Sequence, residues 1–303
     1  MPAGIEVAVV GSANMDLVTR VARLPKPGET ILGADFRKIP GGKGANQAVA
    51  AARMGARVSF AASLGADAFS DTLAAGLKSE GVDIGLVIRD PIEPTGVAMI
   101  WVEESGQNEI VVVAGANGRA ENFRVEEAVA EAKVALFQLE IPLGVVVNGL
   151  NAANGLTIFD PAPALDLPPD FPWERVGVVT PNETEAEALV GIRPLDAGSC
   201  AAAASAFRSL GVATVVITLG GRGCYWMNDR GEGLVPPCPV IPIDATAAGD
   251  AFNGALAARL AAGDELQEAL RWASAAGALT ASMAGAQPSI PTAAAVRGLL
   301  ESG

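Results

Sequence analysis

Short runs of β-branched and aliphatic residues alternate along this chain with alanine-rich stretches of helical length, and that rhythm restricts the fold more than any other feature. Strands are expected over residues 6–10, 57–62, 134–138, 157–159, 176–179 and 214–218. Helices are expected over 45–54, 70–79, 125–131, 143–154, 183–190, 201–210, 250–261 and 266–282. A strand that is apolar throughout is buried on both faces, and consecutive parallel strands need a crossover, which the intervening helices supply. The expected class is α/β, with three layers, α/β/α, around a mainly parallel central sheet.

Two segments break the rhythm. Residues 16–40 and 95–113 read as extended and amphipathic, the second with the turn EESGQN between its strands. They are expected to be antiparallel strands inserted into the α/β body. A lone hairpin is marginal in water, so the two pieces should pair with each other into a small sheet that serves as a lid or an oligomer contact. Without repeats, low-complexity tails or long linkers, the reading is one domain over 1–303 carrying one lid.

Composition removes several classes of function. A net charge of −13 with no basic run argues against nucleic-acid binding through phosphate neutralisation. The chain has no histidine, which excludes Ser-His-Asp and Cys-His nucleophile systems and leaves carboxylate, lysine, cysteine or tyrosine as general base. Its three cysteines, Cys200, Cys224 and Cys238, have no CxxC spacing and read as reduced thiols in or near the core. No stretch has the length and apolarity of a membrane span, and MPAGIEVAVV has no basic region of the signal-peptide kind. The expectation is a cytoplasmic protein without membrane or nucleic-acid partners.

The sharpest chemistry lies in VIPIDATAAGDAFNGALAARLAAG. A β-like run ends at Ile243, and Asp250 begins an alanine-rich helix. Ala247, Ala248 and Gly249 are small enough for backbone to approach a ligand, and a helix start offers outward N–H groups and partial positive charge, as a phosphate requires. Asp250 stands at the edge of that anion hole, where a carboxylate can take a proton from an attacking hydroxyl. On local grounds alone it can equally be an N-cap. Near the N-terminus, Asn14 and Asp16 follow the first strand, and Gly41, Gly42, Lys43, Gly44 and Asn46 lie at the start of a helix. These are convergent donors and acceptors of the kind a small polyol needs. VVITLGGRG is a strand and a glycine-rich turn, TPNETEAEAL has a capping pattern at Asn182, and GGKGAN lacks the spacing of a P-loop.

DATAAGDAFNGAL resembles the C-terminal signature of the ribokinase-like carbohydrate kinases, and GGKGANQAVAAARMGA resembles their N-terminal one. TPNETEAEALVG, VVITLGGRGCYW and GAQPSIP follow the family's order, so the resemblance spans Gly11 to about Pro291. It implies a ribokinase-like fold and ATP-dependent phosphorylation of a sugar hydroxyl. The 5-hydroxyl of D-ribose is the first expectation, and 2-deoxyribose, fructose or a nucleoside are alternatives. A non-catalytic sensor on the same fold is disfavoured because Asp250 and its anion hole are both retained.

The resemblance also implies roles. Asp250 matches the catalytic base, and Ala247, Ala248 and Gly249 match the anion hole, with alanine where glycine is commoner in the family. Asn14, Asp16, Gly41, Gly42, Lys43, Gly44, Asn46 and Glu140 of FQLEIP match the sugar site. Thr218, Gly220, Gly221, Arg222, Gly223, Gly249 and Ser274, with Asn182, match the nucleotide site. Glu185 matches the residue that organises hydrated Mg2+, and Asp244, Thr246, Thr280, Met283, Gly285 and Ser289 match a K+ site. A homodimer through the lid is implied as well. Asp160, in the proline-rich loop DPAPALDLP, is assigned no catalytic role. Met15 departs from the family's usual alanine and is expected to bear on sugar selectivity.

Overall fold

The computed structural model describes residues 4–103 and 107–302. The first half of the chain runs β1 (Val7–Val10), β2 (Asn14–Val21), β3 (Asp35–Gly41), α1 (Lys43–Arg53), β4 (Val58–Gly65), α2 (Ala68–Ser79), β5 (Asp83–Asp90), β6 (Gly96–Glu103) and β7 (Asn108–Val113). It continues through α3 (Val125–Val129), β8 (Val134–Phe137), α4 (Leu143–Ala152), β9 (Leu156–Phe159), β10 (Val178–Val179), α5 (Glu183–Val190) and α6 (Ala197–Ser209). The last part is β11 (Thr214–Thr218), β12 (Cys224–Asn228), β13 (Gly231–Val235), α7 (Ala248–Ala262), α8 (Leu266–Ala281) and α9 (Ala293–Ser302).

Nine strands form the large sheet in the order β13-β12-β11-β10-β9-β8-β1-β4-β5. β1 pairs in parallel with both β4 and β8, and parallel pairing extends to β5 on one side and to β11 on the other. The two-residue side-chain period sorts each strand between two cores. Val7 and Val9 of β1 and Leu136 of β8 join the cluster with α1, α2, α7 and α8. Val10 and Phe137 join the opposite cluster with α3, α4 and α6. This is the three-layer α/β/α arrangement.

The two inserted segments form a separate four-stranded sheet in the order β3-β2-β6-β7. The segments pair as expected, but their shared edge, β2 with β6, is parallel, whereas β2–β3 and β6–β7 are antiparallel hairpins. Residues 104–106, in the middle of the expected turn, lie outside the described residues.

Four expectations need correction. β5, the β12–β13 hairpin and α9 were not legible as elements, because β5 and β13 expose many of their side chains and α9 buries only Val296. The run ending at Ile243 is no strand: Ile241 and Ile243 are 84% and 69% exposed. Helices α1, α2 and α6 start two to four residues earlier than their apolar periodicity indicates, and Asp67 and Asp196 cap α2 and α6 through complete capping boxes. Finally, α7 begins at Ala248, so Asp250 sits inside its first turn and is not its cap. The cap is Ala247, in the left-handed region at φ 60°, and it is the one non-glycine with positive φ among the described residues.

Candidate active site

The chain leaves β1 for β4 and β5 on one side and later starts again at β8 on the other, so the sheet has a topological switch between β1 and β8. Open α/β sheets bind ligands at the carboxyl ends of their strands at such a point. Here the first residues beyond the strands are polar. Ser12 follows β1, Gln138 and Glu140 follow β8, Asp160 follows β9, and Asn182 lies just past β10. Ser12 Oγ donates to Glu140 Oε2 at 2.5 Å, and the backbone N–H of Lys43 donates to the same oxygen at 3.1 Å, so Glu140 spans the crevice.

Two helices point their first turns at this crevice. Gly42, at φ 88°, turns the chain from β3 into α1. A Cβ on Gly44 would stand 2.6 Å from the carbonyl carbon of Gly11, and this contact brings α1 down onto the end of β1. From the opposite side α7 brings Asp250, 5% exposed. Asn46 Nδ2 donates to Asp250 Oδ2 at 2.9 Å, and Gln47 Nε2 donates to Oδ1 at 3.2 Å. The Lys43 ammonium lies 3.8 Å from Asp250 Oδ1 and 4.0 Å from Asp160 Oδ2.

At the start of α7, the Ala248 N–H is taken by the Ala245 carbonyl at 3.1 Å. The first-turn amides of Gly249 and Asp250, which α7 cannot pair internally, are left without a helical partner. Gly249 is exposed, with open space where a side chain would be.

Carboxylates outnumber cations here. Burial, then the charges of Glu140 and Asp250, push the Asp16 carboxyl up to about 7. Burial raises Asp160 to about 8 against the pull of Lys43, with Glu185 and Asp250 adding to the rise. Burial also raises Glu185, opposed by the Asn182 N–H and Lys43. Burial opposes the Lys43 charge, but Asp250, Asp160, Glu140 and Glu185 together hold its ammonium above the ordinary lysine value. Asp16 and Asp160 have an ordinary value of 3.8, and the folded chain keeps protons that the unfolded chain has already released. Stability is then lost as pH rises from the unfolded value through the folded ones. The ligand-free protein should melt at a lower temperature at about pH 8.5 than at about pH 5.5, and Asp160→Asn should flatten the difference, as read by differential scanning fluorimetry. An equal or higher melting temperature at the alkaline end would refute it.

The other expected residues fall around this centre. Asn14 is buried, and Asn117 Nδ2 donates to its Oδ1 at 2.8 Å. Gly41 packs against Asp16: a Cβ there would stand 2.4 Å from the carboxylate. Asn182 caps α5 in a capping box with Glu185, and Thr218 bridges to Asn182 at the end of β11. Gly220, Gly221 and Arg222 form a short 3-10 turn closed by Gly223, with open space over both Gly220 and Gly221. Arg222 is turned away, bound to Glu183 at 2.9 Å and to the Pro194 carbonyl at 3.1 Å, so it braces the α5–α6 connection. Ser274 lies on α8 under β12, 3.7 Å from Cys224 Sγ.

Farther along, Asp244 Oδ1 accepts from the Thr246 N–H and hydroxyl, and Oδ2 accepts from the Gly285 N–H at 2.9 Å. These bonds outweigh burial and hold the Asp244 carboxyl below its ordinary value. The Thr280 hydroxyl is buried without a hydrogen-bond partner, Ser289 is buried, and Met283 is half exposed. Met15 is 1% exposed and belongs to the apolar core cluster. Strand alternation sends it to the face opposite Asn14 and Asp16, so it does not line the crevice.

Reading residue types along the chain missed Gln47, Gln138 and Asn117, and it gave no role to Ser12 or Asp160. Their signal was a polar residue ending or interrupting an apolar run, as in VALFQ and LTIFD, and it becomes meaningful only once the strand ends are known to converge.

The chain as a whole is similar to known proteins. Residues 5–293 match the family described as pfkB family carbohydrate kinase. A ribokinase of Haemophilus influenzae is 39% identical over 292 residues, 94% of this chain and 95% of that protein. Among solved structures, a ribokinase of Thermotoga maritima superposes with a TM-score of 0.91 at 36% identity, covering 98% of this chain and 100% of that one. An Arabidopsis thaliana ribokinase complexed with ribose and ATP gives a TM-score of 0.91 at 33% identity, with 99% of each chain covered.

Proposed function

This chain belongs to the pfkB family of carbohydrate kinases, and from that premise we propose that it transfers the γ-phosphoryl group of ATP to the 5-hydroxyl of D-ribose, giving ribose 5-phosphate and ADP. The observation that carries the reading is a buried carboxylate, Asp250, held between Asn46 and Gln47 in the first turn of α7. Asp250 takes the proton of the sugar hydroxyl as its oxygen bonds to phosphorus and the bond to the ADP oxygen breaks. Asn14, Asp16, Lys43, Asn46 and Glu140, with the backbone of Gly41, Gly42 and Gly44, hold the sugar. The amides of Gly249 and Asp250 receive the charge that develops on the transferring group. The nucleotide lies along Asn182, Thr218 and the Gly220–Gly223 turn.

Mg2+ fits the site, because four acidic side chains, Asp250, Asp160, Glu140 and Glu185, surround the single Lys43 ammonium and the phosphates add further negative charge. No group of three or more metal-ligating side chains occurs among the described residues. Magnesium keeps most of its waters, so Glu185 and Asn182 suffice to hold it through them. When bound it neutralises the nucleotide phosphates. K+ fits the second region: the Asp244 carboxylate, the carbonyls of Thr246, Thr280, Met283 and Gly285, and the Ser289 hydroxyl supply oxygen donors only, near the orphaned Thr280 hydroxyl.

An ADP-release assay with ribose, 2-deoxyribose, fructose and adenosine, run in K+ and in tetramethylammonium, tests both assignments. Ribose should give the highest kcat/KM, and K+ should activate the parent but not Asp244→Ala. A preference for adenosine, or equal rates in the two cations, would overturn the corresponding part. The small sheet serves as a lid over the sugar and as a dimer contact. Its edge strand β7 exposes Ile110 and Val112 at 52% each, and β3, at the opposite edge, exposes Phe36 at 60%. A monomer by light scattering would overturn the dimer.

A further inference from the structure

One buried glutamine lies against the Asp250 carboxylate and a second stands behind it, and the reaction just described uses neither. Gln47, the residue after Asn46 in α1, is fully buried. Its Nε2 lies 2.8 Å from Asp160 Oδ2 and 3.2 Å from Asp250 Oδ1. A primary amide has two N–H groups, so both are committed to carboxylate oxygens. The opposite amide orientation would set a carbonyl oxygen against the Asp250 carboxylate, so the chemistry fixes which end faces Asp250. Gln47 Oε1 is left facing the end of β8, where Gln138 Nε2 donates to it at 2.5 Å. Gln138 is fully buried too, and it is locked by packing: a Cβ on Gly11 would stand only 2.0 Å from its Oε1.

The chain of donors runs in one direction, from Gln138 to Gln47 and from Gln47 to Asp250. We infer that Gln47 is a positioning residue for phosphoryl transfer, with Gln138 braced against its Oε1, and that Gln47 turns the Asp250 carboxylate toward the acceptor hydroxyl. The inference rests on Asp250 acting as the base. With Gln47 in place both carboxylate oxygens are tethered, Oδ2 by Asn46 and Oδ1 by Gln47. Without it, Oδ1 keeps no hydrogen bond and only the looser Lys43 ion pair at 3.8 Å, so Asp250 swings about its last torsion and the attacking hydroxyl loses its aligned acceptor. The nucleotide residues at the ends of β10 and β11 are untouched.

Gln47→Met keeps the length of the side chain and removes its donors. It should lower kcat by roughly 10- to 100-fold while KM for ATP stays within about twofold. Gln138→Glu puts an acceptor where Gln47 Oε1 needs a donor and forces the amide round, so its kcat should fall about as far. Gln138→Met neither donates nor accepts and should lose no more than about threefold. Melting temperatures keep a folding defect from being read as lost turnover. Gln47→Met turning over within about twofold of the parent, or Gln138→Glu and Gln138→Met losing equal activity, would overturn the inference. Asp250→Asn measured alongside separates the two layers. If Asp250→Asn keeps its turnover, the base assignment itself fails. If it is inactive while Gln47→Met is unaffected, only the positioning role fails. In the Asp250→Asn background, Gln47→Met should cost nothing further, because the group it orients is gone.

Discussion

Asp250→Asn should remove turnover almost completely, with kcat down by about a thousandfold or more, while ribose and ATP still bind. The variant keeps the shape of the side chain and takes away its ability to accept a proton. No histidine exists in the chain to substitute for it. Asp160 is the next buried carboxylate, but it lies beyond Gln47 and Lys43 and is pushed up to about 8, which disqualifies it as a ready base near neutrality. A second readout separates lost chemistry from lost structure. Removing the Asp250 charge relieves Asp16, Asp160 and Glu185, whose carboxyls that charge helps to raise. The variant should therefore lose less melting temperature between about pH 5.5 and about pH 8.5 than the parent does. Isothermal titration with ribose and a nonhydrolysable ATP analogue, paired with the ADP-release assay, checks both halves. Turnover within tenfold of the parent would sink the assignment.

Gly254→Leu should damage the protein as a whole. Gly254 lies on the face of α7 that crosses α1, where a Cβ would stand 2.5 Å from both Ala50 Cβ and the Gln47 carbonyl oxygen and 2.9 Å from the Ala51 nitrogen. Two of those atoms are backbone and cannot turn aside. A leucine must push the helices apart, an overpacking cost of about 1–3 kcal/mol or more. The same shift separates Asn46 and Gln47 from Asp250. The urea midpoint should therefore fall, and kcat measured well below the transition should fall by more than the unfolded fraction accounts for. Gly254→Ala should show the same two effects at smaller size. Parent-like stability and turnover in Gly254→Leu would mean that the crossing does not set the geometry of the site.

Much of the architecture was legible because its causes are local or periodic. Uninterrupted apolar runs such as VAVV and VALF have one good destination, the interior of a parallel sheet, and alanine-rich stretches between them supply its crossovers. The missed pieces lack such a pattern. β13 is mostly exposed, and α9 buries one side chain, so neither carries the periodicity that marks an element. The parallel pairing of β2 with β6 was also hidden, because amphipathic alternation indicates that strands pair but not in which direction.

The site divides in the same way. The sequence by itself determined the family, the fold class and the segments that carry Asn14, Lys43, Asn46, Asn182 and Asp250, because each lies in a short motif whose spacing is set within one strand–turn–helix unit. Only the tertiary structure decided what those residues do to one another. It turned Met15 into the core, bound Arg222 to Glu183, gave the Ala248 amide to Ala245, and placed Gln47 between Asp160 and Asp250. The contact of Gln47 with Asp250 joins residues 203 positions apart. Such contacts depend on how closely α1 and α7 approach across Gly254, a distance set by packing that no local pattern encodes.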